Sequence, residues 1–334
     1  MPEQIEETKK QKQLGRSARL LIYGVAAGLV ILAMAMTLDR YDLGKYALID
    51  SHAQTAHENA PNNAALNVTQ IAAPTTATVF GERIPLENWE VRERFEREFY
   101  YNFSNADQIL LEWKRAQRLF PNVDKALAAA GLPADLKFLA VAESGLKNVK
   151  SPANANGFWQ FIPSTGMTYG LRVDDLIDER LDPDRATAAA IKYFQKMKAA
   201  LPTWTLVAAG YNMGEDNVRQ AMDWQHQSSY WNLFLNDETM RYVFRVAAIK
   251  ELLENGQKYG LNFAKTTPFR DVQTKPIPVQ GPIGSISDWA QQQGYAYKDI
   301  KILNPWIVGR SLPGGSYTIK LPIADEDRAT VANP

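Results

Sequence analysis

The sequence predicts a mainly α-helical body followed by a small β-α-α-β module, and three observations lead there. From Leu86 to about residue 262, apolar residues recur at helical spacing and no long alternating strand pattern interrupts them. Glycine and proline fall where helices stop and start. After Pro268 the texture changes, and the short strand-like runs KPIPV and SYTIKLP enclose the helix-like SISDWAQQQG and YKDIKILN.

The chain has 334 residues, 46% of them hydrophobic, enough for one large domain or two modest ones. Residues 9–19 (KKQKQLGRSAR) are basic without an acid, and residues 20–38 then run without a charge. At 1.5 Å per residue that run spans roughly 28 Å, close to the hydrocarbon thickness of a bilayer. Residues 1–38 are therefore expected to be a cytoplasmic basic stub and a retained transmembrane signal anchor. A cleaved signal peptide competes, because Ala33-Met34-Ala35 resembles a cleavage site. In either case the working part is exported. Residues 39–85, rich in Ala, Asn, Thr and Gln between 50 and 79, are expected to be a flexible linker.

The body is expected over residues 86–270. ENWEVRERFEREFYYNF places Trp89, Phe95 and Phe99 among Glu–Arg pairs four residues apart, such as Glu90 with Arg94. Gly131 fits a helix stop and Pro133 the first turn of the next helix. TWTLVAAGYNMG opens on a Thr203 cap and closes at Gly214, and ETMRYVFRVAAIKELLENG ends at Gly256. Residues 272–323 make up the terminal module.

Composition excludes much chemistry. Lysine plus arginine equal aspartate plus glutamate at 37 each, so no global charge points to nucleic acid. With no cysteine, disulfides, thiolate zinc sites and a cysteine nucleophile are ruled out. His52, His57 and His226 form no metal-binding pattern, and no phosphate or dinucleotide loop occurs, so neither metal nor cofactor is expected. Ser144-Gly145-Leu146-Lys147 matches S-x-x-K, but no K-T-G partner accompanies it.

Glu143 is the more informative residue. In ADLKFLAVAES the apolar series Leu136, Leu139, Ala140 continues helically to Glu143, which puts a carboxylate on the inward face. That is costly unless the group is neutral, paired or used. Gly145 should stop the helix just beyond it, and the negative helix end and apolar surroundings both disfavour ionisation. A carboxylic acid protonated at neutral pH is what a general acid for a glycosidic oxygen requires. A structural glutamate paired with Lys147 or an arginine fits the helical pattern equally well. Residues 144–160 contain no second acid.

The ordered blocks GLPADLKFLAVAESGL, GFWQFIPSTGMTYGL, DERLDP, AAIKYF, AAGYNMGEDNV and ETMRYVFRVAAI decide between these readings. From about residue 90 to residue 255 the chain resembles the lytic transglycosylase (SLT) family of murein transglycosylases, especially its D branch. The resemblance implies a lysozyme-like (goose-type/SLT) helical catalytic domain. It implies cleavage of the MurNAc–GlcNAc β-1,4 bond of peptidoglycan glycan strands, leaving 1,6-anhydro-MurNAc ends. Glu143 would be the sole general acid/base, because the C6 hydroxyl of the sugar itself is the nucleophile. Ser144 would help order the site, Ser151 would contact the sugar near the cleavage point, and Gln160 would recognise the N-acetyl sugar through its amide. Tyr211 and Asn212 would hold Glu143 and the substrate, with Ala208, Ala209 and Gly210 small enough for close helix approach. Phe158, Trp159 and Tyr169 fit a groove lining or the core equally well.

Three departures stand out: the Glu143–Ser151 spacing is one residue shorter than in close relatives, Gly210 replaces the usual alanine, and Phe244 a frequent proline. The module resembles a divergent LysM domain through Gly284-Ser285-Ile286 and Ile302-Leu303-Asn304-Pro305, without the Gly-Asp-Thr start. It is read as a glycan holder, with a purely structural cap as the rival. The whole implies a periplasmic enzyme anchored in the inner membrane through residues 20–38. A lysozyme-type muramidase and a non-catalytic peptidoglycan-binding protein are the alternatives.

Overall fold

Asn88 accepts hydrogen bonds from the backbone N–H groups of Glu90 and Val91 and so starts helix α1 (Trp89–Ser104), whose Val91, Phe95, Phe99 and Phe103 face inward. The computed structural model describes residues 70–323 and 325–328. Helices α2 (Ala106–Ala129) and α3 (Lys137–Ser144) follow, then the short α4 (Pro163–Thr168). Asp182 caps α5 (Pro183–Ala200) and Thr203 caps α6 (Trp204–Met213). Then come α7 (Glu215–Gln225) and α8 (Asp237–Asn255), the latter capped by Asn236.

Helix α8 is the centre of the body. Tyr242, Val243, Phe244, Val246, Ala247, Ala248, Ile249 and Leu252 are all buried, and it packs against α1, α3 and α6. Phe244, at the position where a proline would kink the helix, is buried there with the Arg94 guanidinium 5.3 Å from its ring.

The linker expected over 39–85 ends earlier than its composition suggests. Strands β1 (Ala77–Val79) and β2 (Glu82–Ile84) form an antiparallel hairpin that buries Val79, Phe80 and Ile84 against the body. Glu82 accepts hydrogen bonds from the Trp204 and Thr205 N–H groups and the Thr205 hydroxyl, capping α6 from outside. Three apolar side chains suffice to dock the hairpin, too few to register in an otherwise polar stretch. The earlier part of the expected linker, up to residue 69, lies outside the described residues.

The terminal module has the expected order. Strands β3 (Thr274–Gln280) and β4 (Ser316–Pro322) pair antiparallel from Thr274–Pro322 to Gln280–Ser316, enclosing α9 (Ile286–Gln292) and α10 (Tyr297–Leu303). Pro276 and Pro278 fit because both strands of a two-stranded sheet are edges, where a missing N–H costs little. The module's core is Ile286, Ala290, Ile300, Trp306, Ile307, Leu312, Ile319 and Leu321, and it also takes in Ile177 from the helical body. The backbone seals this joint. Leu176 C=O accepts from Val308 and Gly309 N–H, both at 3.0 Å, and Asp178 N–H donates to Trp306 C=O at 2.9 Å. Lys320 pairs with Asp184 at 2.8 Å alongside. A Cβ at Gly309 would sit 2.5 Å from Leu176 Cδ2, so the close approach requires glycine.

The expected membrane attachment is corrected here. Among the described residues no helix is long and apolar enough to cross a membrane. The longest, α2, has the length but carries Asp107, Glu112, Lys114, Arg115 and Arg118 along it. Residues 20–38 lie outside the described residues. Among the described residues, the transmembrane anchor, the inner membrane as a partner and the anchored periplasmic placement therefore have no spanning helix to rest on.

Because Ile177 belongs to the body but is buried in the module, Ile177→Ala should destabilise both together. Removing a buried isoleucine typically costs about 2–5 kcal/mol. Urea unfolding should show one shifted transition. Two separate transitions, with that of the body unmoved, would show that module and body unfold independently.

Candidate active site

Helix α3 ends abruptly after Glu143 and Ser144. Gly145 adopts φ +58° and donates its N–H to Val141 C=O at 2.7 Å, and Leu146 follows at φ 59°. Two left-handed residues in succession turn the chain away, leaving the Glu143 carboxyl at the end of the helix against α8. There the Tyr242 hydroxyl donates to Glu143 Oε1 at 2.6 Å.

Burial pushes the Glu143 carboxyl up to about 7; the Tyr242 hydrogen bond and the Arg245 charge oppose the rise, and Glu238 adds to it. Near neutrality the group can hold a proton and also release it, which suits an acid that must later act as a base. Burial, with Glu143 beside it, holds the Tyr242 phenol well above its ordinary range, so it stays a donor. Arg245 is engaged in turn by Glu238 at 2.8 Å and by buried Glu98 at 3.5 Å. Glu112, at 1% exposure, lies behind this helix end: a Cβ on Gly145 would be 3.2 Å from its Oε1. Burial pushes its carboxyl up to about 7, against the Gln108 hydrogen bond and the charges of Arg115 and Lys147.

The residues expected around Glu143 divide between scaffold and site. Ser144 is buried, its hydroxyl donating to Ala140 C=O at 3.1 Å and Phe158 C=O at 2.9 Å, so it ties α3 to the following loop. Ser151 closes its own turn, its Oγ accepting from Ala155 N–H at 3.0 Å. Gln160 sits at φ 50° and its amide nitrogen donates to Val149 C=O at 2.8 Å and Gly157 C=O at 2.6 Å. A non-glycine residue in that region is a local strain that the surrounding bonds must hold. Tyr211 donates to Trp159 C=O, and Asn212 Oδ1 accepts from the Thr239 hydroxyl at 2.6 Å. Neither of these bonds reaches Glu143; the tyrosine that does is Tyr242. Phe158 and Trp159 are core residues, at 2% and 0% exposure.

The loop bearing Ser151 and Gln160 is held by a residue that the motifs did not single out. Arg180, 3% exposed, donates through Nε and Nη2 to Asp178 at 2.8 and 2.7 Å, and through Nη1 to Asn154 C=O at 2.8 Å and Phe161 C=O at 2.9 Å. Asn156 donates to the same aspartate at 2.9 Å. Burial works to raise the Asp178 carboxyl, but the bonds from Arg180 and Asn156 outweigh it and hold it below the usual range. Gly157, at φ +79°, is pressed against the Arg180 carbonyl, where any Cβ would collide. Tyr242 and Arg180 lie within the blocks ETMRYVFRVAAI and DERLDP, but nothing in those blocks by itself gives them a role: one is a phenol on a helix face, the other an arginine two residues after an aspartate.

Tyr242→Phe should raise the Glu143 pKa above about 7, since the lost bond favours the ionised form. Carboxyl-carbon NMR titration would check this, and an unchanged or lowered value would contradict the geometry. For Glu112, a folded-state pKa raised to about 7 gives stability that is full below about pH 4.5 and lost as pH rises through about 7. Glu112→Gln should therefore leave stability unchanged near pH 4 and increase it at pH 8, by on the order of 1–3 kcal/mol. Denaturant unfolding at the two pH values measures the difference.

Residues 122–234 match the transglycosylase SLT domain, and residues 275–325 match the soluble lytic transglycosylase C-terminal LysM-like domain. The first match contains Glu143, Ser144, Ser151, Gln160, Tyr211 and Asn212 and stops before Tyr242. The chain is 28% identical over 256 residues to membrane-bound lytic murein transglycosylase D of Escherichia coli strain K12, and equally to that of strain O6:H1. The alignment covers 74% of this chain and 55% of each relative, so the chain spans about half their length. The helical body thus carries a region similar to the SLT domains of lytic transglycosylases, joined to a LysM-like module, and the chain is related at modest identity to the D-type enzymes.

Proposed function

We propose that the protein is a peptidoglycan lytic transglycosylase in which Glu143 is the single general acid/base. The observation that carries this reading is a carboxyl raised to about 7 at a helix end, held by one phenol, whose ionised neighbours are engaged by arginines while Glu112 is buried behind the helix end. Glu238, the carboxylate whose field reaches Glu143, is bound by Arg245 and held below its usual range. Asp174 pairs with Arg172, Asp178 with Arg180 and Glu179 with Arg185. Glycosidases that use water or a covalent intermediate generally need a second carboxylate, so a lone acid favours a nucleophile within the sugar.

In this mechanism Glu143 gives its proton to the oxygen bridging MurNAc and GlcNAc as the bond from that oxygen to MurNAc C1 breaks. The positive charge developing at C1 is stabilised by the sugar's own acetamido group. Ionised Glu143 then takes the proton of the C6 hydroxyl as that oxygen bonds to C1 and closes the 1,6-anhydro ring. Tyr242, bonded to one carboxyl oxygen, leaves the other for the substrate. Gln160 and Ser151 present polar groups from the loop held by Arg180, and Tyr211 and Asn212 hold the far wall. Ser144 acts by fixing the end of α3.

Glu143→Gln should abolish turnover on purified glycan while leaving fold and glycan binding intact. The amide cannot donate the proton, and general acid–base work is worth about 10²–10⁴ in rate. Wild-type activity should fall as pH rises through about 7, where the free enzyme loses the required proton. Mass spectrometry of the products distinguishes the rival: anhydro ends support this mechanism, whereas reducing MurNAc ends would mean a muramidase. Near-normal activity of Glu143→Gln would reject both.

A further inference from the structure

Next to the site, a cleft of about 490 Å³ opens between α7 and the segment leading into α8. Trp224 and Phe234 stand at it, each 77% exposed, accompanied by Asn217, Gln220, Gln225 and Asn236. Two large aromatic rings left in water on either side of one concavity are unfavourable unless something covers them. The backbone that carries Phe234 is also held in place. Gln225 grips Phe234 at both backbone groups, accepting from its N–H and donating to its C=O, each at 2.8 Å. Leu233 and Leu235 are buried on either side, so the alternating backbone directs Phe234 outward. The Gln220 amide has no partner among the described residues, and Asn217 donates to Met213 C=O at the inner end.

The chemistry of the lining selects the ligand. None of the lining residues is charged. A phosphate, a nucleic acid or an acidic peptide would need cations there, and a lipid surface would call for a broader apolar face flanked by basic residues. Aromatic faces beside amide groups match an uncharged molecule with an apolar C–H face and hydroxyl and acetamido edges, which is an N-acetylated saccharide. The position fits as well. Asn236, on the cleft, caps α8, and Tyr242 lies six residues further on, about 9 Å along the helix axis. Met213, also on the cleft, directly follows Asn212.

We propose that Trp224 and Phe234 form a distal sugar-binding subsite that grips the glycan chain beyond the residues cleaved at Glu143. The proposal rests on the function proposed above for its substrate class. The subsite acts on chains long enough to reach it and leaves short ones to Glu143 and its loop.

The test titrates full-length protein carrying Glu143→Gln with β-1,4-linked N-acetylglucosamine oligomers of increasing length by calorimetry, alone and combined with Trp224→Ala, Phe234→Ala or Trp224→Phe. Loss of one aromatic contact should weaken binding of the long oligomers by about 2- to 10-fold, with little loss for the shortest, and Trp224→Phe should retain most of the affinity. In the active protein, Trp224→Ala should raise KM on long glycan strands more than it lowers kcat. Equal affinity of all variants at every length overturns the subsite, and if the wild type still yields anhydro ends the proposed function stands without it. Length-dependent loss in a protein that cleaves nothing would leave the subsite standing and reject the catalytic reading instead.

Discussion

Arg180 carries its charge into a part of the molecule with almost no water, and the loop between α3 and α4 is organised around how that charge is satisfied. Isolated there it would be strongly destabilising, but Asp178 meets it with two charge-assisted bonds and two loop carbonyls take up another nitrogen. A planar guanidinium can do this because its donors point in fixed, divergent directions; a lysine could not bind the aspartate and both carbonyls in the same geometry. The pair therefore works less as a source of stability than as a constraint on position. It pins Asn154 and Phe161, and with them the turn that carries Ser151 and the strained Gln160.

The same segment joins the two parts of the molecule. Leu176, Ile177 and Asp178 are bound by the backbone of the terminal module, and Ile177 completes the module's core. The LysM-like module is therefore not an appendage free to move on a tether: its packing continues through Asp178 and Arg180 into the loop that carries Ser151 and Gln160. It therefore has a structural share in how that loop is held.

At Glu143 the balance is local. Burial drives the carboxyl toward neutrality, while one phenol and one neighbouring arginine restrain the shift, leaving it near 7 rather than fully neutralised. Arg245 can restrain without forming a salt bridge to Glu143 because Glu238 and Glu98 already hold it. The Glu143 carboxyl thus has no salt-bridge partner among the described residues, though charges surround it.

The sequence by itself determined the mainly helical body, the β-α-α-β order of the module, several helix caps and the inward placement of Glu143. These are properties of periodicity and of local backbone chemistry, which act over a few residues and can be read there. Thr203, Gly214 and Gly145 sit at the helix ends their side chains or φ angles favour. Where a short stretch had to be judged by composition alone, the reading was incomplete: the hairpin at 77–84 docks through three side chains and passed for linker. Only the tertiary structure decided that Tyr242, and neither Tyr211 nor Asn212, bonds the acid, that Arg180 holds the loop, and that Ile177 belongs to another module's core. Tyr242 and Glu143 are 99 positions apart, and Ile177 and Ile307 pair across a still longer interval. Contacts of that kind depend on how whole helices pack, because a side chain's partner is set by the crossing of two elements and leaves no periodic mark on either one.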